Sequence, residues 1–254
     1  MCELFGFTAK TKTDISPALR VFFSHGDRNP SGWGLALDVE SETHITLAAE
    51  NASQSTSLKE LLSVSISQRL ALAHLRKATV GAMNEVNCHP FCRVDFSGRK
   101  WLLIHNGTIF SGFSVDSYAG RIAGSTDSEC ILAELVDRIN EKLKSGANLN
   151  PLERFLAVED LITELSPRNK LNLLLSDGEL LYVHMNMRNT LYSLPVGDGR
   201  FFATIPLDDA EWEPVELTTV LAYRSGQLLY RGENHGYEYI NTITAAPGPL
   251  NYAI

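Results

Sequence analysis

A cysteine in second position, running straight into Glu3–Leu4–Phe5–Gly6–Phe7, constrains this chain more than any other stretch. Leu4, Phe5 and Phe7 are apolar or aromatic and suit a buried strand. The first residues therefore read as a strand fixed in a core, where most chain termini fray. The same position carries chemistry. Methionine ahead of a small residue such as cysteine is generally removed, which gives Cys2 both a thiol and a free α-amine. An amine of pKa about 7.7–8.0 can take the proton of a thiol of pKa about 8.5 near neutral pH, so one residue supplies nucleophile and base. Taken alone, this stretch fits an ordinary N-terminal edge strand at least as well, and the rest of the chain decides between them.

The chain shows no internal repeat, low-complexity linker or composition break across its 254 residues, so a single domain over 1–254 is expected. With 44% hydrophobic residues it can bury a sizeable core. Its formal net charge of −8 and the lack of a Lys/Arg run argue against nucleic acid as a partner. No apolar run approaches the roughly 18 residues of a membrane span, and no basic-then-apolar leader is visible, so no membrane partner and a cytoplasmic location are expected. Cys2, Cys88, Cys92 and Cys130 then read as reduced thiols. Cys88–His89–Pro90–Phe91–Cys92 has no second Cys/His pair at zinc-site spacing, so no metal site is expected, and nothing implies a cofactor.

Patterning predicts a strand over 2–7 and a helix from Ser16–Pro17 to about Ser24. Strands follow at Gly32–Leu37 and Thr43–Leu47, then a short helix capped by Ser57, and a buried strand at Arg69–His74. Residues 84–96 read as loop. Trp101–His105 reads as a strand that stops at Asn106–Gly107. Ser125–Thr126–Asp127–Ser128 caps a helix bearing Ile131, Leu132, Leu135, Val136 and Ile139, and a second helix spans about Leu152–Leu165. Lys170–Ser176 and Glu179–Met185 form a hairpin about Asp177–Gly178. Further strands are expected at Thr190–Leu194, Arg200–Ile205, Thr218–Ala222 and Leu228–Arg231, and a loosely packed tail at Thr244–Ile254. Strands, a helical layer and strands again suit sheets stacked between helices.

A thiol nucleophile needs donors for an oxyanion and groups that hold the substrate. Asn106 and Gly107 are candidates for the first, through a side-chain amide and a backbone N–H, although Asn-Gly is also a common turn. Arg76, after an apolar strand, can grip a carboxylate by two parallel hydrogen bonds, or serve as a surface ion-pair partner. Asp127, at a helix start, can bind an ammonium group or simply act as an N-cap. An arginine and an aspartate together match the two charges of an amino acid.

Five motifs follow Cys2 in one order: Gly32–Trp33–Gly34, His74–Leu75–Arg76–Lys77–Ala78–Thr79–Val80–Gly81, Asn87–Cys88–His89–Pro90–Phe91, His105–Asn106–Gly107 and Ser125–Thr126–Asp127–Ser128–Glu129. The set resembles the class II (N-terminal nucleophile) glutamine amidotransferases, most closely the stand-alone subgroup without a synthase domain, and covers roughly residues 2–135. The resemblance implies an α+β fold, a four-layer αββα sandwich with two antiparallel sheets between helical layers. It also implies hydrolysis of a glutamine side-chain amide through a γ-glutamyl thioester on Cys2. It places Asn106 and Gly107 in the oxyanion hole, Arg76 on the substrate α-carboxylate and Asp127 on its α-amino group, with Thr79 and His89 lining the pocket. Lys77 and Val80 stand where synthase-linked members carry tryptophan and histidine. That departure leaves room for a γ-glutamyl amidase acting on larger amines or thiol compounds. An ammonia-accepting partner protein is the other implication, since no second site is recognisable here. The reading of another class is an inactive binding or assembly module.

Overall fold

The computed structural model describes residues 2–39, 42–78, 81–146 and 148–241. Strand β1 (Glu3–Asp14) leads into helix α1 (Ser16–Ser24), the hairpin β2 (Trp33–Val39) and β3 (Glu42–Ala48), α2 (Thr56–Leu62) and β4 (Ser67–Leu75). Next come β5 (Phe91–Val94), β6 (Lys100–Thr108), α3 (Asp127–Lys144) and α4 (Pro151–Leu165). The chain then returns to strands: β7 (Lys170–Ser176), β8 (Leu181–His184), β9 (Tyr192–Val196), β10 (Gly199–Ala203), β11 (Glu213–Pro214), β12 (Leu221–Arg224) and β13 (Gln227–Arg231).

These strands form two sheets, ordered β11-β9-β10-β1-β4-β2-β3 and β13-β12-β8-β7-β6-β5. Each strand runs antiparallel to its sheet neighbours. Alternation of side chains along each strand builds three apolar layers. Leu4, Leu72, Ile104, Leu174 and Phe202 meet between the sheets. Phe5 and Phe7, on the opposite face of β1, pack with Leu19, Phe22 and Leu58 of α1 and α2. Leu103, Leu173 and Leu175 pack outward with Ile131, Leu135, Val158 and Leu161 of α3 and α4. The architecture is the expected αββα sandwich, with β1 near the middle of its sheet. Phe5 and Trp101 have no exposed surface, so truncating either to alanine costs about 3–5 kcal/mol.

Several elements differ from the sequence reading. Ser55, not Ser57, caps α2: its extended backbone lets Oγ accept the Leu58 N–H at 3.2 Å. The expected loop over 84–96 contains β5, whose Phe91 packs on the layer of Trp101 and Leu103. Strand β6 does not stop at Asn106–Gly107. The ladder continues with Asn106 opposite Asn172, Gly107 opposite Leu171 and Thr108 opposite Lys170, so this Asn-Gly pair is strand rather than turn. The strand expected at Thr218–Ala222 begins at Leu221, because Thr218 adopts a positive φ of 57°. The tail at Thr244–Ile254 lies outside the described residues. Among those residues no helix is long and apolar enough to cross a membrane.

Candidate active site

Alternation also gathers the functional side chains. Cys2, one residue before β1, continues the parity of Leu4; Arg76, one residue past β4, continues that of Leu72; in β6, Asn106 shares that of Leu102 and Ile104; all of these leucines and Ile104 face the space between the sheets. Register puts the start of β1 beside the end of β4, since Glu3 pairs with Leu75. The Lys77 backbone N–H accordingly donates to Cys2 Sγ at 3.3 Å. Cys2 itself is half-buried. Crowding by protein raises its thiol pKa, opposed by the Lys77 N–H and by the positive charges of Arg76 and Lys170.

Arg76 is buried, which removes the surface ion-pair reading. Its backbone is held by Gly32 O at 2.8 Å and by the Ser31 N–H at 3.0 Å. Its guanidinium donates to Ala82 O at 3.1 Å and Gly81 O at 3.3 Å, which fixes the fork against that backbone. Thr79, in the same segment, lies outside the described residues. Asp127 is the first residue of α3, and the N-cap is its neighbour Thr126, whose Oγ1 accepts the Glu129 N–H. Asp127 Oδ2 accepts the Ile109 N–H at 2.7 Å and Oδ1 accepts the Ser128 N–H at 2.9 Å. Helix α3 is thereby tied to the chain leaving β6, which seats the carboxylate beside the end of that strand.

Asn106 is buried, and its Nδ2 has no hydrogen-bond partner. Leaving a buried amide donor unpaired costs about 1–3 kcal/mol, so this atom is available to a ligand acceptor or a water. Its Oδ1 accepts from Lys170 Nζ at 3.1 Å. Gly107 is required by close approach: a Cβ there would stand 1.9 Å from Lys170 O and 2.2 Å from His105 Nε2. The His105 ring folds over Gly107, with Nε2 3.2 Å from Lys170 O and Nδ1 2.9 Å from Ser128 Oγ. A carbonyl oxygen only accepts, so Nε2 carries the proton and Nδ1 accepts from Ser128.

His89 sits behind this strand. Its Nδ1 accepts the His105 backbone N–H at 3.2 Å, and its ring packs 4.0 Å from the His74 ring and 4.5 Å from Phe91. A substrate can meet only its other ring nitrogen. Strand β2 lies against the same segment, where a Cβ on Gly34 would fall 2.0 Å from His89 O. Burial lowers the pKa of His74 to about 3, that of His89 well below the usual histidine value, and that of His105 in the same direction. The layer beneath the site is therefore neutral. Among the described residues, no group of three or more His, Cys, Asp or Glu could hold a metal ion.

Thus the structure brings Cys2, Arg76 and Asn106 to one end of the inter-sheet space and seats Asp127 at its border, with His89 as backing. Sequence reasoning missed Lys170. Its signal was parity: Lys170, Asn172 and Leu174 share one face of β7, and Leu174 lies between the sheets.

Two antiparallel sheets between helical layers define a four-layer αββα sandwich of the N-terminal-nucleophile type. Glutamine phosphoribosylpyrophosphate amidotransferase from B. subtilis shares the fold at a TM-score of 0.65 and 15% identity, over 92% of this chain and 49% of that one. A "predicted glutamine amidotransferase" from Pseudomonas aeruginosa PA01 aligns at a TM-score of 0.65 and 21% identity, over 90% of this chain and all of that one. At these identities the likeness shows the fold alone. Sequence goes further. The model of the class-II glutamine amidotransferases matches residues 1–195, and the chain belongs to that family. It is also similar to the Escherichia coli (strain K12) protein named "Putative glutamine amidotransferase YafJ", at 28% identity over 87% of this chain and 89% of that protein.

Proposed function

We propose that the chain hydrolyses the side-chain amide of glutamine through a γ-glutamyl thioester on Cys2. The observation that carries this reading is the unpartnered, buried Nδ2 of Asn106 in the inter-sheet space that Cys2 also faces. Arg76 takes the substrate α-carboxylate and Asp127 its α-ammonium group, with pocket-lining roles for His89 and, by its place in the motif alone, Thr79. The α-amine of Cys2, once Met1 is removed, accepts the thiol proton. Sulfur attacks the amide carbon, and the oxyanion is held by Asn106 Nδ2 and the Gly107 N–H. Collapse expels the amine, which leaves with the proton held on the α-amine, and the thioester remains. Water, deprotonated by the same amine, then releases glutamate and regenerates the thiol.

A second reading differs in the leaving group. Lys77, whose N–H reaches the nucleophilic sulfur, has an exposed side chain. A lysine there, in place of the tryptophan of synthase-linked members, favours a γ-glutamyl amide of a larger amine or thiol compound, or transfer of ammonia to a partner protein. Release of glutamate from glutamine and from a series of γ-glutamyl amides tests both readings. Cys2→Ala should abolish release, and Asn106→Ala should lower kcat by about 10²–10³. A Cys2→Ala protein with undiminished turnover on every substrate would remove the enzyme reading.

A further inference from the structure

We infer that Lys170 is the positioning residue of the oxyanion hole, its ammonium fixing which way round the Asn106 amide stands. The inference rests on the proposed amidohydrolase reading and adds a residue to it. An asparagine amide presents an oxygen and a nitrogen at ends of nearly equal size, so shape alone does not choose between its two orientations. A lysine ammonium does choose, because it donates and never accepts. Lys170 Nζ lies 3.1 Å from Asn106 Oδ1, so Oδ1 is held and Nδ2 is the end kept for an incoming oxyanion.

The energetics favour that orientation even while no oxyanion is bound. Turning the amide over would replace a charge-assisted hydrogen bond by two donors facing each other. The cost of leaving Nδ2 unpaired is of the same order or smaller. The donor is thus set before the reaction needs it, which is the condition for oxyanion stabilisation without reorganisation.

Lys170 is itself held in place. It is the first residue of β7 and is buried; its backbone oxygen receives His105 Nε2, and Thr108 stands opposite it in the ladder. Its ammonium donates to Asn106 of β6 and acts electrostatically on Cys2 ahead of β1, with the Arg76 charge just past β4 acting on the same thiol and His105, electrostatically linked to Asp127 of α3, behind. Burial lowers the Lys170 pKa to about 8, and attraction to the Cys2 thiolate opposes that shift. A charged Lys170 therefore also favours the Cys2 thiolate. Raising the pH through about 8 removes both effects together.

The test uses the processed full chain and three variants. Lys170→Met removes the donor, Lys170→Gln keeps a neutral donor, and Lys170→Arg keeps a charged one. Steady-state turnover of the best γ-glutamyl substrate is compared with alkylation of Cys2 by iodoacetamide, which needs a thiolate but no oxyanion hole. Lys170→Met should lower kcat by about 10–100-fold with KM changed by no more than about threefold, part of the loss due to an oxyanion donor. Its iodoacetamide pH profile should move upward and its melting temperature should stay near wild type. Lys170→Gln should recover part of the kcat but not the alkylation profile, and Lys170→Arg should move the alkaline limb of turnover to higher pH. If Lys170→Met fails to fold, the Gln and Arg variants carry the same comparison. Wild-type turnover with unchanged kcat in Lys170→Met overturns the Lys170 assignment alone. Absence of turnover in the wild type, with Cys2 alkylated normally, overturns the amidohydrolase reading and the inference with it.

Discussion

Replacing Gly107 by alanine puts one methyl group where β6, β7 and an imidazole already meet. The added carbon would sit 1.9 Å from Lys170 O and 2.2 Å from His105 Nε2. Ordinary carbon–oxygen contact begins near 3.4 Å, so the two strands must part by about 1.5 Å and the ring must also leave its place. A separation of that size breaks the local ladder, where Asn106, Gly107 and Thr108 face Asn172, Leu171 and Lys170. Two or three hydrogen bonds at about 1 kcal/mol each, with about 1–3 kcal/mol of overpacking strain, give a loss of about 4 kcal/mol. For a chain of this size that lowers the melting temperature by roughly 10 °C. Gly98 supplies the control. Its φ of +85° strains any side chain, but no atom lies within 4 Å of an added Cβ, so Gly98→Ala should cost only about 1–2 kcal/mol. Urea unfolding of both variants reads the difference. A Gly107→Ala protein within about 1 kcal/mol of wild type would refute the claim that the strand and the His105 ring are fixed against each other.

Three further outcomes are expected. Arg154 lies buried with Nε 2.6 Å from Asp177 Oδ2 and donates also to Glu179, so Arg154→Leu should cost about 3–5 kcal/mol in urea unfolding while turnover per folded molecule is unchanged. His74 and His184 are each lowered to a pKa of about 3 by burial, so between pH 3 and 6.5 the unfolded chain binds more protons than the folded one. Stability is therefore present above pH 6.5 and is lost as pH falls: about 4 kcal/mol from these two groups between pH 7 and 5, read by urea midpoints across that range. Thr126→Ala should cost about 1 kcal/mol through loss of the α3 cap and should raise KM more than it lowers kcat, because Asp127 is the next residue.

How much of this was legible depends on whether a side chain is positioned by its own strand or by a neighbour. The apolar and aromatic run of Leu4, Phe5 and Phe7 gave the first half of β1, whose polar continuation to Asp14 carries no such signal, and the spacing of Ile131, Leu135, Val136 and Ile139 gave α3, because residue type and periodicity are local properties. β5 escaped because its four residues follow His89–Pro90 in a segment dense with turn-formers, and its existence depends on β6 being alongside. Asn106–Gly107 misled for a related reason. The dipeptide is a common turn, and only the ladder with β7 and the ring of His105 show that the glycine answers a close approach. Arg76 was legible as a binding residue only beside its companions, and its burial is a tertiary fact. Lys170 was not singled out, since a lysine opening a strand resembles any solvated terminus until β6 sets Asn106 against it.

Intact mass, taken before and after exposure to the glutamine analogue 6-diazo-5-oxo-norleucine, tests the central claim most directly. The account predicts loss of Met1 and then a single covalent adduct on Cys2, absent from Cys2→Ser and slowed in Asn106→Ala. A processed chain whose Cys2 reacts with iodoacetamide but takes up no analogue, alone or with every γ-glutamyl substrate inert, would contradict it.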